Sequence, residues 1–283
     1  MAYQSIDTWM SLWRRLTPLY DEGEAKAVVR MVLESKFGMS TADIYTDGIA
    51  KLTDKARREL EGIMQRLDKA EPVQYVLGYA DFLGHRFAVG KGVLIPRPET
   101  AELCEQIIRD AEGCSGADIL DIGTGSGCIA VTLAYEVAEA AVTAWDISPA
   151  AIICCEENAR RAGVMVDVVQ QNALTPPDDH DRWDIIVSNP PDICERERES
   201  MHANVTGHEP EEALFVSDDD PLLFYNAISL YAIHALKPDG ALYFEINPRY
   251  AEALLSLMRQ IGFSNVTLTH DSFGKQRFVK ATR

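Results

Sequence analysis

Asn189-Pro190-Pro191-Asp192 follows the apolar run Ile185-Ile-Val-Ser, so an asparagine and a proline carbonyl stand at the end of what reads as a buried strand. The Asn189 side-chain oxygen and the Pro190 carbonyl are both acceptors, and together they can take the two N–H bonds of an amide or exocyclic amine. Such a nitrogen is a poor nucleophile because its lone pair is delocalised. Acceptors on both hydrogens orient the lone pair and favour positive charge developing on nitrogen. Pro190 offers a carbonyl but no donor, and its ring stiffens the loop. The chemistry implied is group transfer onto a planar nitrogen, with Asn189 and Pro190 as the catalytic pair. A plain proline turn after a strand is the competing reading.

A second stretch tips the balance. Ile119-Leu-Asp-Ile-Gly-Thr-Gly-Ser-Gly-Cys-Ile129 runs from a buried strand through Gly123, Thr124, Gly125, Ser126 and Gly127 into a helix. Glycines let the backbone turn tightly and approach a ligand without Cβ interference. Amide N–H groups at the helix start can hold a carboxylate or phosphate. A dinucleotide fingerprint would require glycine at position 128, where this chain has Cys128. The spacing G-x-G-x-G instead resembles the loop that binds S-adenosyl-L-methionine, whose product is S-adenosyl-L-homocysteine. The next strand ends Thr143-Ala-Trp-Asp146, and a carboxylate there can accept both ribose hydroxyls of a nucleoside. Asp146 also reads as an N-cap for the helix after Ser148-Pro149. Asn172-Ala173, near the third strand, occupies the expected place of an adenine contact, with a turn asparagine as its competitor.

These groups need a scaffold that gathers strand ends. From residue 118 onward strands and helices alternate, with strands expected at 118–122, 142–146, 166–170, 184–188 and 241–246. Helices are expected between them at 127–137, 149–162 and 221–235. Alternation predicts a parallel sheet covered on both faces. The end differs, because 266–270 and 277–281 are strands separated only by a short loop, which predicts an antiparallel hairpin. The fold class expected is α/β, a Rossmann-like seven-stranded domain with a small N-terminal helical bundle and a β-hairpin linker. Trp9, Leu12, Trp13 and Leu16 recur at helical spacing until Pro18, and two further amphipathic helices follow Asp21 and Thr53. Pro72 is expected to close the bundle. Phe82 and Phe87 flank Gly84-His85 as in a hairpin, and Arg97-Pro98 opens a helix with proline in its first turn. The boundaries read from this are 1–77 for the helical part, 78–95 for the hairpin linker and 96–283 for the α/β domain.

Composition narrows the field of functions. The chain has 283 residues, 47% hydrophobic and 25% charged, as soluble globular proteins do. Met1–Asp7 lacks a leader pattern and no apolar run is long enough to span a bilayer, so a cytoplasmic protein without membrane contact is expected. The six cysteines form no C-x-x-C pair and the six histidines are scattered, so reduced thiols and no metal are expected. A net charge of −17 argues against stable nucleic-acid binding and favours a protein or small-molecule partner.

The chain resembles the HemK/PrmC family, the protein-glutamine methyltransferases that act on peptide chain release factors. The resemblance rests on Glu71–Gly78, Leu94–Thr100, Asp121–Gly127, Asn189-Pro190-Pro191, Glu209-Pro210 with Ala213-Leu214, and Asp271–Arg277. It implies that the 123–127 loop, Asp146 and Asn189 bind S-adenosylmethionine, with Arg97 and Thr100 close to the cofactor. It also implies that Asn189, Pro190, Pro191 and Asp192 bind the glutamine of a Gly-Gly-Gln loop in a release factor. The N-terminal helices would recognise that protein substrate. The family pattern is Asn-Pro-Pro-Tyr, and Asp192 cannot supply the tyrosine's apolar face. His208 stands before Glu209-Pro210, where an aromatic residue is usual. Three other functions compete: a ribosomal-protein glutamine methyltransferase, an adenine N6 methyltransferase of nucleic acid, and a cofactor-binding relative whose catalysis Asp192 impairs. Adenine modification is disfavoured, because an unstacked base needs an aromatic partner.

Overall fold

Thr8 starts the first helix because its hydroxyl accepts the Ser11 N–H, and the Ser11 side chain in turn takes the Thr8 N–H. The computed structural model describes residues 8–46, 48–201 and 203–283, so Met1–Asp7, read above for a leader, lie outside the described residues. Helix α1 (Trp9–Leu16) is followed by α2 (Glu22–Phe37), which Asp21 caps and Gly38 ends in the left-handed conformation. Then come α3 (Thr41–Tyr45), α4 (Asp54–Leu67) capped by Thr53, and α5 (Val73–Leu77). Pro72 therefore opens a short helix where the sequence reading had the bundle close. Its missing N–H costs nothing at a helix start. Leu12, Leu16, Val29, Val32, Leu33, Leu60, Met64 and Leu67 are fully buried and form the core of this bundle.

The hairpin expected around Gly84 is present as β1 (Tyr79–Phe82) and β2 (His85–Ala88). Helix α6 (Pro98–Asp110) has Pro98 at its first position. The alternating part then runs β3 (Asp118–Ile122), α7 (Cys128–Glu136), β4 (Ala141–Asp146), α8 (Pro149–Ala162), β5 (Val166–Gln170) and β6 (Trp183–Ser188). Short pieces β7 (Ile193–Cys194), α9 (Ala203–Thr206), α10 (Glu211–Leu214) and β8 (Phe215–Val216) come next. The chain ends α11 (Leu223–Ala235), β9 (Leu236–Glu245), α12 (Ala251–Ile261), β10 (Ser264–His270) and β11 (Gln276–Thr282). Two compact units result. The helical one takes in described residues up to Tyr79 together with 203–208, and the other takes in 80–201 and 209–283.

The seven-stranded sheet has the order β10-β11-β9-β6-β3-β4-β5; β11 pairs antiparallel with both β10 and β9, and the other pairings are parallel. The expected α/β class and terminal antiparallel hairpin are both found. Alternation along each strand sorts the residues by face. Ile119, Ile185, Val187, Ala241 and Tyr243 pack under α6, α7 and α8. Leu120, Ile122, Ile186, Leu242 and Phe244 pack under α11 and α12. The same alternation sends Asp121 and Glu245 to the α6–α8 face, and this placement of Glu245 decides how the site is built.

Candidate active site

In a doubly covered parallel sheet the crevice lies beyond the carboxyl ends of the strands. Here the ends of β3, β4, β5 and β6 border a cavity of about 290 Å³. Arg97, Thr100, Gly123, Thr124, Gly125, Ser126, Asp146, Asn172, Ala173, Asn189, Pro190 and Pro191 all line it. Two residues expected at the site, Gly127 and Asp192, are not among the lining residues.

Gly123, Gly125 and Gly127 all have positive φ, at 78°, 56° and 79°. Gly127 also needs its bare Cα for space, because a Cβ there would sit 2.6 Å from the Cys155 sulfur. It closes the loop against α8 from behind and so keeps α7 and α8 in register with the loop. The loop's own amides are largely committed. Gly123 and Thr124 N–H both donate to the Trp145 carbonyl at 2.9 Å, and Gly127 N–H donates to the Thr124 carbonyl at 2.8 Å. The sequence reading offered such amides to an anion; the fold uses those of Gly123 and Thr124 to tie the loop to β4 and that of Gly127 to close the loop on itself. A loop so tied suits a nucleoside and amino-acid cofactor better than a diphosphate, which would compete for those N–H groups.

Asp146 ends β4 at the cavity wall. Its Oδ2 accepts from Gly125 N–H and its Oδ1 from Ser148 N–H, each at 2.9 Å. Each oxygen keeps a further lone pair, so the carboxylate can still take a ribose diol. The expected N-cap role takes a different form, because the bond goes to the cap residue Ser148 itself. Burial pushes the Asp146 carboxyl upward, and the two amide bonds act against that. Asn172 makes the turn contact that competed in the sequence: its Oδ1 accepts from Leu174 N–H at 2.9 Å. Its oxygen is thereby occupied, while the residue still lines the cavity beside Ala173. Asp121, unremarked in the sequence beyond its place in the glycine motif, is fully buried behind the loop. Its Oδ2 accepts from Thr124 Oγ1 at 2.6 Å and Ala130 N–H at 3.2 Å. Burial raises its carboxyl to about 7.

The Asn189 amide is held from one side only. Its Nδ2 donates to Thr100 Oγ1 at 3.2 Å, and Thr100 Oγ1 donates to Glu245 Oε2 at 2.6 Å. Asn189 Oδ1 has no partner among the described residues, and neither has the Pro190 carbonyl. Two acceptors without a partner therefore belong to residues that line the cavity. Arg97 donates to Glu209 Oε1 at 2.6 Å, and Glu209 Oε2 takes Ile95 N–H at 3.0 Å, so this buried acid clamps the stretch leading into α6. Neither Glu209 nor Glu245 emerged as a site residue from the sequence. For Glu245 a signal existed, a lone charge ending the apolar run Ala241-Leu-Tyr-Phe.

Asp192 turns into the protein. Its carboxylate lies 3.2 Å from the hydroxyl of the buried Tyr225, which is equally close to the Glu245 carbonyl, and Asn247 Nδ2 donates to its own carbonyl at 3.1 Å. Burial pushes both Asp192 and Glu245 up to about 7, and Arg277 partly offsets this for each.

The Methyltransferase small domain matches residues 100–206, and the PrmC N-terminal domain matches residues 14–78. A release factor glutamine methyltransferase of Bacteroides thetaiotaomicron is 42% identical over 269 residues, covering 95% of this chain and 96% of that protein. This chain belongs to the release factor glutamine methyltransferase family. A release factor glutamine methyltransferase from Flavobacterium psychrophilum is 38% identical, with 94% of each chain covered. In fold alone the chain is similar to a ribosomal protein L11 methylase from Lactobacillus delbrueckii, with a TM-score of 0.50, 18% identity, and coverage of 72% and 90%. Against the family pattern of the sequence reading, His208 and Asp192 have separate partners. His208 Nε2 lies 3.0 Å from the Lys69 carbonyl, while Asp192 is paired with Tyr225.

Proposed function

We propose that this protein transfers a methyl group from S-adenosylmethionine to the side-chain amide nitrogen of the glutamine in the Gly-Gly-Gln loop of peptide chain release factors. The observation that carries this reading is the one-sided hold on Asn189. With Nδ2 committed to Thr100, Oδ1 is the atom left to face a substrate, and the Pro190 carbonyl stands open beside it. Two acceptors one residue apart match the two hydrogens of a primary amide.

The cavity's polar groups fit the cofactor. Asp146 retains lone pairs for a ribose, Asn172 and Ala173 border the place expected for the base, and the 123–126 stretch leaves room where side chains would intrude. When bound, S-adenosylmethionine supplies an electrophilic methyl group on a positively charged sulfur. The protein's part is to bind, orient and stabilise. Asn189 Oδ1 and Pro190 O hold the amide so that its lone pair points out of the plane of those two bonds, and they lie where positive charge develops on nitrogen. Pro191 rigidifies the turn that carries them. No general base is required before transfer, because the cationic nitrogen sheds a proton readily afterwards.

Among the described residues no helix is long and apolar enough to cross a membrane. A release factor as partner fits a reaction in the cytoplasm. The net charge of −17 disfavours a duplex nucleic acid as substrate. The test offers methyl-labelled cofactor with a release factor, a ribosomal protein and DNA in parallel. Label confined to the release factor is the expected outcome. Label in DNA or in the ribosomal protein, with the release factor unmodified, overturns the assignment.

A further inference from the structure

We infer that Thr100 and Glu245 are positioning residues that fix which atom of the Asn189 amide faces the substrate. This rests on the reading of Asn189 as the residue that orients the amide nucleophile. An asparagine amide is nearly symmetric in shape, and a half-turn about its last bond exchanges oxygen for nitrogen. Presented to a glutamine N–H, the oxygen accepts a hydrogen bond. The nitrogen would set donor against donor and abolish the orienting contact.

The relay selects the oxygen. Thr100 Oγ1 receives the Asn189 Nδ2 hydrogen at 3.2 Å, so its own single hydrogen is free to go to Glu245 Oε2, at 2.6 Å. Ionised, as it is above about pH 7, the Glu245 carboxylate accepts and does not donate, so the Thr100 hydroxyl then has one polarity and the Asn189 amide follows it. Both relay residues are buried, Thr100 at 3% and Glu245 at 7% exposure, so water does not offer an alternative partner readily. The three residues come from three elements: the first turn of α6, the end of β9 and the loop after β6. Their convergence follows from the strand alternation that turns Glu245 to the α6 face. Tyr225 and Asn247 hold the neighbouring backbone, through the Glu245 and Asp192 carbonyls, and so steady the end of β9 against the 189–192 turn.

The experiment compares Thr100→Val, Glu245→Met, Glu245→Gln, Asn189→Ala and the double variant Thr100→Val with Asn189→Ala, all in the full chain. Single-turnover methylation of a release factor is read beside calorimetric cofactor affinity and thermal melts. Thr100→Val removes the hydroxyl at nearly constant shape. It is expected to lower the transfer rate by roughly 10–100-fold while cofactor affinity stays within about twofold, because misplaced groups cost rate rather than ground-state binding. In the Asn189→Ala background the same change is expected to cost nothing more, since a residue acting through Asn189 has nothing left to act on. Glu245→Met attacks the relay from its other end, so the inference does not hang on one variant folding. Glu245→Gln keeps an acceptor oxygen and is expected to recover the rate to within about fivefold of wild type. Equal rates for the Met and Gln variants, or additive losses for Thr100→Val and Asn189→Ala, overturn the relay. Asn189→Ala at the wild-type rate would instead overturn the reading of Asn189 on which the relay depends, so the two failures are distinguishable.

Discussion

Two carboxylates at the site do different work, and burial tells them apart. Asp146 keeps lone pairs open at the cavity wall, whereas Asp192 is turned inward to Tyr225. Asp146→Asn removes the charge and turns one acceptor into a donor, and should weaken S-adenosylmethionine binding by about 1–3 kcal/mol, the scale of hydrogen bonds to a charged group. Calorimetry reads this directly, and unchanged affinity would remove Asp146 from the ribose. Asp192 predicts a pH signature. Its folded carboxyl titrates near 7, far above the ordinary value of 3.8, because burial disfavours the charge. The neutral form is therefore the compatible one. Its contribution to stability is complete below about pH 4 and is lost as pH rises through about 7. Asp192→Asn cannot ionise, so its stability relative to wild type should climb between about pH 4 and pH 7 and then level off. Denaturant midpoints at a series of pH values measure the gap, and a flat difference would show that Asp192 stays charged in the fold. Asn189, Pro190 and the glycines were legible as residues because their chemistry is local. Thr100 to Glu245 is a contact across 145 positions, and no spacing in the sequence announces it.

At the scale of elements, periodicity made most of the fold readable. The strands at 118–122 and 166–170 have the bounds expected of them, and α8 starts at Pro149 and stops before Gly163. The short pieces between β6 and α11 escaped, and so did three further features. Helix α12 fills the stretch between β9 and β10, where no helix is expected above, although Leu254, Leu255 and Met258 form its buried stripe. Strand β9 begins at Leu236, before the Pro-Asp-Gly that reads as a turn, because its first residues already pair alongside Trp183 of β6. Short α5 follows Pro72, and five residues are too few for a period to show. The glycine loop supplies the element-scale prediction. Gly127→Ala forces a side chain into left-handed backbone and against the Cys155 sulfur at 2.6 Å. The conformational part alone costs about 1–2 kcal/mol, and the clash adds to it. The variant should lower the denaturation midpoint and loosen cofactor binding together. A wild-type midpoint would mean that α7 and α8 shift freely, contrary to their packing.

The whole molecule divides its labour between two compact units, and the second carries every group assigned here to the chemistry. The helical unit has a core of its own and takes in residues 203–208 from the middle of the other unit's sequence. That return was invisible in the sequence, because 203–208 carries no pattern long enough to read. A chain beginning at Ala80 keeps the sheet and both of its cores and should still bind S-adenosylmethionine. If the helices recognise the protein substrate, that chain should methylate an intact release factor at least about tenfold less efficiently in kcat/KM than the full chain. A short Gly-Gly-Gln peptide should be methylated equally by both. Equal efficiency on the intact factor would assign the helices another role. Both units serve one event, the presentation of a glutamine amide by Asn189 and Pro190 for methyl transfer. Its most direct measurement is fragmentation mass spectrometry of a release factor after one turnover with wild-type protein and with Asn189→Ala. A single methyl on the side-chain nitrogen of the Gly-Gly-Gln glutamine is expected with the wild type, and almost none with a variant that stays folded. A methyl on any other residue, or undiminished transfer by Asn189→Ala, would contradict it.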